Sequence, residues 1–131
     1  MAAVLLDTTV LIDLLRGRPA ALNGVRALRA GEDSVHACAI NVEETVRGLR
    51  PGEHDAVRTL FSALRILPLT ERVGWQAGEW RREFSERGLT LAQADCLIAA
   101  AAVAAGARLA TGNPKDFPMA ELQVDHWPAG A

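Results

Sequence analysis

Four acids stand at points in the chain where a carboxylate can do more than face solvent. Asp7 ends the apolar run AVLL, Glu44 lies in AINVEETVRG, Asp95 opens the alanine-dense stretch ADCLIAAAAVAAG, and Asp116 falls in TGNPKDF. Singly, each has an ordinary reading. Aspartate is a favoured helix cap, a glutamate in an early helical turn complements the helix dipole, and loop acids are commonly exposed. Their joint placement carries the argument. Carboxylates held together repel and raise one another's pKa values, so a fold keeps them together to hold a cation. Oxygen-only donors select a hard ion, Mg²⁺ or Mn²⁺, over zinc. Such an ion keeps several waters, binds substrate phosphates and stabilises an in-line displacement at phosphorus, so the implied chemistry is metal-dependent phosphodiester hydrolysis.

The elements that must position these acids can be read from periodicity and punctuation. Ala3 to Leu6 reads as a strand covered on both faces and ending at about Asp7. Helical spacing follows from Val10 to Gly17 and from Pro19 to Arg29, with Gly31 as the second stop. SVHACA predicts a second strand, and Asn41 an N-cap for a helix that carries Glu44 in its first turn. Residues 53–65 repeat apolar positions at helical spacing, RILPL predicts a brief edge strand, and a longer helix runs from Thr70 to about Arg87. After the loop TLAQ, a helix over 94–105 ends at Gly106. A fourth strand spans 107–110, TGNPKDF is a loop, and 122–126 is a last strand.

Strands separated by helices predict an α/β fold with a parallel sheet. In such sheets ligands gather beyond the carboxyl ends of the strands. Asp7, Glu44 and Asp116 belong on that edge directly, and Asp95 joins them if its helix starts there. Asp13, two turns into the first helix, reads as an ordinary solvated or salt-bridged acid.

At 131 residues and 50% apolar, the chain has material for one compact domain with a real core. A charged fraction of 23% and net charge of −2 exclude a polybasic nucleic-acid or membrane surface but leave room for a local basic groove. Cys38 and Cys96 lie far apart in apolar runs, make neither a CxxC motif nor a zinc cluster with the three histidines, and read as buried free thiols. No signal-type segment is evident and the run from Leu97 to Ala110 is too short to span a bilayer, so a reduced cytoplasmic location is expected. Neither GxGxxG nor GxxxxGK[ST] occurs.

VLLDTTVLID, AINVEETVRG and ADCLIAAAAVAAGARLATGNPKDF resemble the three signature stretches of PIN-domain proteins, particularly the VapC toxins of bacterial toxin–antitoxin pairs. The similarity runs from about Val4 to Trp127, and RILPLTERVGWQAGEW is also in keeping with it. It implies a PIN-like three-layer α/β/α sandwich around a central, mainly parallel sheet of four to five strands. Asp7 matches the first family acid and Asp95 the third. Aligning Ile40 and Gly48 with the family stretch I-T-x-x-E-L-x-x-G selects Glu44 over Glu43 as the second, with Asn41 in place of threonine and Thr45 in place of leucine. Helical geometry leaves open which glutamate faces inward.

The fourth acid resembles Asp116, because Asn113 occupies the position where many members carry an acid. Asn113 then serves as a neutral orienting group; if Asp116 points away, three acids remain and one ion rather than two. Thr9 and Thr111 match hydroxyl positions that support the acids. By this resemblance Asp7, Glu44, Asp95 and Asp116 hold Mg²⁺, with Mn²⁺ as a substitute. The chain would then be the endoribonuclease toxin of a type II pair, cutting single-stranded or structured RNA, tRNA or ribosomal RNA above all, and leaving a 5′-phosphate. Its partners would be a cognate antitoxin and a second copy, giving a homodimer and, with antitoxin, a heterotetramer or larger.

Substrate grip would fall to Lys115, Arg47 and Arg82, with Arg16, Arg18, Arg50 and Arg81 as further cations. Trp75, Trp80 and Phe84 have spacing and neighbours that favour core or dimer packing over stacking on bases. The rival from another class is a non-catalytic PIN-fold module that binds RNA or protein. A haloacid-dehalogenase-type phosphatase would need an aspartate where Thr9 stands, and a receiver domain would need its acceptor aspartate at a strand end rather than at the start of a helix.

Overall fold

The computed structural model describes residues 1–131. The apolar tetrapeptide Ala3–Leu6 forms β1, and its side chains alternate between two cores as the pleat requires. Leu5 enters one cluster while Val4 and Leu6 enter the other, all three without exposure to solvent. Burial on both faces is what a central parallel strand demands.

Helices α1 (Thr8–Leu15) and α2 (Pro19–Ala30) lead to β2 (Ser34–Cys38), which pairs in parallel with β1. Helices α3 (Ala39–Arg47) and α4 (His54–Ser62) lead to β3 (Arg65–Leu67), a parallel edge strand beside β2 that stops before Pro68. The long helix α5 (Glu71–Glu86) and then α6 (Gln93–Ala104) precede β4 (Arg108–Thr111). β4 pairs with the other side of β1, and β5 (Val124–His126) closes that edge.

The sheet order is therefore β3-β2-β1-β4-β5, all parallel, and it reverses direction between β1 and β4. Helices α5 and α6 cover one face through Val73, Ala77, Trp80, Phe84, Ile98 and Ala99. Helices α1, α2 and α4 cover the other through Val10, Leu11, Val25, Leu28 and Leu60. The result is the three-layer α/β/α sandwich with five strands.

Several local expectations need correction. α3 begins at Ala39, directly after β2, so Cys38 takes the cap position and Asn41 is the third helical residue. The asparagine caps backwards, its Oδ1 accepting the Cys38 N–H at 2.8 Å. Glu44 consequently sits in the second turn, not the first. Trp80 and Phe84 are core residues, Trp80 donating from Nε1 to Glu121 at 2.7 Å, but Trp75 is 65% exposed. Asp13 is half-buried and accepts the Gly130 N–H at 2.8 Å, which ties the C-terminal segment to α1; it is not in a salt bridge. Both cysteines are buried and free. No helix is long and apolar enough to cross a membrane.

Candidate active site

The reversal of strand order puts the carboxyl ends of β1 and β4 side by side, and the crevice there is where an open α/β sheet receives ligands. Asp7 follows β1 into this crevice, its backbone N–H still donating to Ala110 on β4 at 2.9 Å. Though placed at the cap of α1, its side chain does not cap the helix. It accepts instead from Thr111 Oγ1 at 2.7 Å. At 6% exposure, burial drives the Asp7 carboxyl upward; the Thr111 hydroxyl and the neighbouring Thr8 N–H oppose that rise, and Glu44 and Asp116 add to it.

Asp95 lies in the first turn of α6, half-buried. Burial first, and then the charges of Asp7, Asp116 and Glu44, push its carboxyl up to about 6. Glu44 and Asp116 therefore act on both Asp7 and Asp95 across the crevice, and Asp7 acts on Asp95 as well. Asp116 comes from a short 3₁₀ turn, Pro114–Asp116, and is close enough to raise both Asp7 and Asp95.

The structure separates the two adjacent glutamates. Glu44 turns inward, with Oε1 accepting from Thr8 Oγ1 at 2.7 Å. Glu43 is exposed and held outside by Arg47 in a two-pronged ion pair, Nε to Oε2 and a terminal nitrogen to Oε1, each at 3.0 Å. That pairing draws the Glu43 carboxyl below the usual range.

Thr111 Oγ1, while donating to Asp7, accepts the Asn113 backbone N–H at 3.0 Å. Asn113 thus braces the site through its backbone and is itself exposed. Thr9 Oγ1 accepts the Gly112 N–H at 2.9 Å and pins the start of α1 to the loop after β4. A Cβ at Gly112 would stand only 3.2 Å from that oxygen and 3.1 Å from the Ala129 side chain, so the close approach favours glycine.

The cations are less concentrated. Lys115 is exposed in the turn that carries Asp116. Arg47 is engaged by Glu43, and Arg82 lines an open groove on α5 among Glu71, Glu79, Glu83 and Glu86, away from all four acids. Arg81 donates from Nε to the Leu91 carbonyl at 3.1 Å and so steadies the loop before Asp95. Arg16 faces Glu53 at 3.6 Å.

The donor chemistry fits a hard divalent cation. No three Asp, Glu, His or Cys side chains stand close enough to form a direct coordination shell. The fit is therefore to an ion that rests on one or two carboxylates and keeps its waters, as Mg²⁺ characteristically does. Asp95 is pushed up to about 6 by burial first and by the neighbouring acids after it, and the acids' share is negative charge that such an ion would relieve.

Sequence reasoning missed Thr8 and misread Asn41. Both carry polar atoms at the heart of the acid cluster: Asn41 is fully buried, and its Nδ2 donates to Thr8 Oγ1 at 3.2 Å. The available signal was a threonine directly after Asp7 together with an asparagine on a helix just after the neighbouring strand.

Comparison with known proteins bears on the family and the fold. The PIN-domain family model matches residues 4–120. Ribonuclease VapC19 of Mycobacterium tuberculosis is 33% identical over 115 residues, covering 88% of this chain and 92% of the relative. The crystal structure of VapBC2 from Rickettsia felis, bound to a DNA fragment from its promoter, matches with a TM-score of 0.85 at 23% identity, over 95% of this chain and 98% of that one. A toxin–antitoxin complex from Klebsiella pneumoniae matches with a TM-score of 0.76 at 26% identity, over 98% and 99%.

Proposed function

Because the chain belongs to the PIN-domain family and to its VapC ribonucleases, we propose that it is a Mg²⁺-dependent endoribonuclease and the toxin of a type II toxin–antitoxin pair, working as one PIN domain. The observation that carries this reading is the gathering of Asp7, Glu44, Asp95 and Asp116, from four distant segments, at the β1/β4 crevice, with Asp95 pushed up to about 6. A structural role would leave so much like charge without compensation.

Among Asp7, Glu44, Asp95 and Asp116, one or two carboxylates would hold Mg²⁺, or Mn²⁺ in its place, directly and the others through its waters; the ion would supply an activated water and neutralise charge at the scissile phosphate. Asp7 gives the site a fixed point, since its backbone is bonded to β4 and its carboxylate to Thr111. Asp95 and Asp116 bring carboxylates from the opposite rim. Thr9, Thr111 and Asn113 hold the start of α1 and the loop after β4 in register. Lys115, exposed beside Asp116, is the cation best placed to meet an RNA phosphate. Arg47 and Arg82 contribute less, being occupied by or surrounded by glutamates.

The substrate is RNA, single-stranded or structured, with tRNA and ribosomal RNA as the leading classes. The site of action is the cytoplasm. The toxin–antitoxin complex among the structural relatives supports an antitoxin partner, with a homodimer that joins antitoxin in a heterotetramer or larger assembly.

The test is cleavage of a mixed tRNA and ribosomal RNA pool in Mg²⁺ against chelator, with wild type and Asp7→Asn. Cleavage that needs both Mg²⁺ and Asp7 is expected. Equal cleavage by the two proteins would overturn the metal mechanism, and no cleavage by wild type would favour the non-catalytic binding module.

A further inference from the structure

Two hydrogen bonds link α3 to the start of α1, and together with a third at the start of α3 they can run in only one direction. The Cys38 N–H can only donate, so Asn41 must present Oδ1 to it, at 2.8 Å. That choice orients Nδ2 toward Thr8 Oγ1 at 3.2 Å. An amide NH₂ cannot accept, so the threonine oxygen accepts there and its single proton goes to Glu44 Oε1 at 2.7 Å. The chain of donors therefore runs from the Cys38 backbone through Asn41 and Thr8 to the carboxylate, each bond polarising the next. Asn41 is fully buried, so its amide has no water to exchange with.

We infer that Thr8 and Asn41 are positioning residues that clamp Oε1 of Glu44 and leave Oε2 as the single oxygen this glutamate offers to the cation. The inference rests on the reading of the acid cluster as a divalent-metal site. Its physical need is plain from the charges. Glu44 raises both Asp7 and Asp95, so it is repelled by both, and a glutamate in the second turn of α3 is free to rotate away. A directed O–H donor held from below opposes that rotation. It also makes the threonine hydroxyl, rather than any threonine-sized group, the operative feature.

The test compares Thr8→Val, which keeps shape but loses the hydroxyl, with Thr8→Ser, which keeps the hydroxyl. Mn²⁺ affinity is measured by calorimetry, and each variant's metal-free crystal structure is determined. Thr8→Val should weaken Mn²⁺ about tenfold or more, as loss of a partner behind a metal ligand typically does, with Glu44 displaced from its observed position. Thr8→Ser should restore both.

Unchanged affinity with Glu44 in place, or equal weakening by valine and serine, overturns the clamp. If wild type shows no Mn²⁺ binding that Asp7→Asn abolishes, the metal reading itself fails. The metal-free structures then decide the clamp alone, a displaced Glu44 in the valine variant supporting it and an unmoved one overturning it. Should Thr8→Val not fold, Thr8→Ala removes the same hydroxyl and carries the same expectation.

Discussion

Removing the Asp95 charge should stabilise the metal-free protein. The Asp95 carboxyl is raised from 3.8 to about 6, chiefly by burial and then by Asp7, Asp116 and Glu44. A rise of that size corresponds to roughly 3 kcal/mol of penalty on the charged form at neutral pH. The side chain is only half-buried, so solvent screening reduces this to about 1.5 kcal/mol. Asparagine also gives up the favourable charge of an acid in the first turn of α6, about 0.5 kcal/mol. The net expectation for Asp95→Asn is a gain of about 1 kcal/mol, or ~3–4 °C in Tm for a domain of this size.

The pH dependence has a definite sign. Because the folded-state pKa lies above the unfolded one, the native protein binds the extra proton between about pH 4 and 6, and wild-type stability from this group rises as pH falls through that window. The advantage of Asp95→Asn should therefore be full at neutral pH and vanish by about pH 4. Thermal unfolding followed by circular dichroism, in chelator and then in saturating Mg²⁺, checks both points. Mg²⁺ should reverse the order, raising wild type above the variant, since only N-state binding adds stability. An Asp95→Asn protein that melts at or below wild type in chelator at neutral pH would refute the charge-crowding argument.

Thr111→Val removes the hydroxyl that donates to buried Asp7 and should cost about 2–3 kcal/mol in urea unfolding at neutral pH. The loss should shrink on acidification, because Thr111 holds the Asp7 carboxyl down and its removal lets that group protonate at higher pH. Glu44→Gln should abolish Mn²⁺ binding in calorimetry, whereas Glu43→Gln, on the exposed side of α3, should leave both Mn²⁺ binding and Tm unchanged. Ile98→Ala, in the fully buried middle of α6, should cost about 2–5 kcal/mol, read as a lower urea midpoint at unchanged slope.

The architecture was legible because each strand is short, apolar and bounded by turn residues, while the intervening helices repeat at helical spacing. The positive φ of Gly106, 66°, ends α6 where the sequence marks a stop. Placing Asp7, Glu44 and Asp116 on one edge followed from the parallel order alone. What could not be read was the contact between residues far apart in sequence. Thr8 meets Glu44 across 36 positions, and that meeting depends on how β1 and β2 align before their helices begin.

Asn41 misled for a physical reason. Asparagine is a good cap from outside a helix, and the same side chain from the third position reaches back to the residue that precedes it. Two features were readable and went unused. Arg47 stands four residues after Glu43, the spacing of a helical ion pair, which marks Glu43 as the outward glutamate. Val73, Ala77, Trp80 and Phe84 share one face of α5 at intervals of three and four, and Trp75 falls off that face into solvent.

The alanine content of α6 also acquires a purpose beyond helix propensity. Ala99 to Ala102 are buried on every side, between the sheet and α5, in the same cluster as Leu5 and Leu109. Small side chains let this helix lie close against β1 and β4, and its N-terminal turn brings Asp95 into reach of Asp7. Larger residues would separate the layers, and a close-packed interior has no slack to absorb the change. The repulsion stored at the crevice is thus opposed by packing that lies behind it. The acids are held together from the core side, by a stiff strand under Asp7 and a tightly seated helix under Asp95, rather than by attraction to one another.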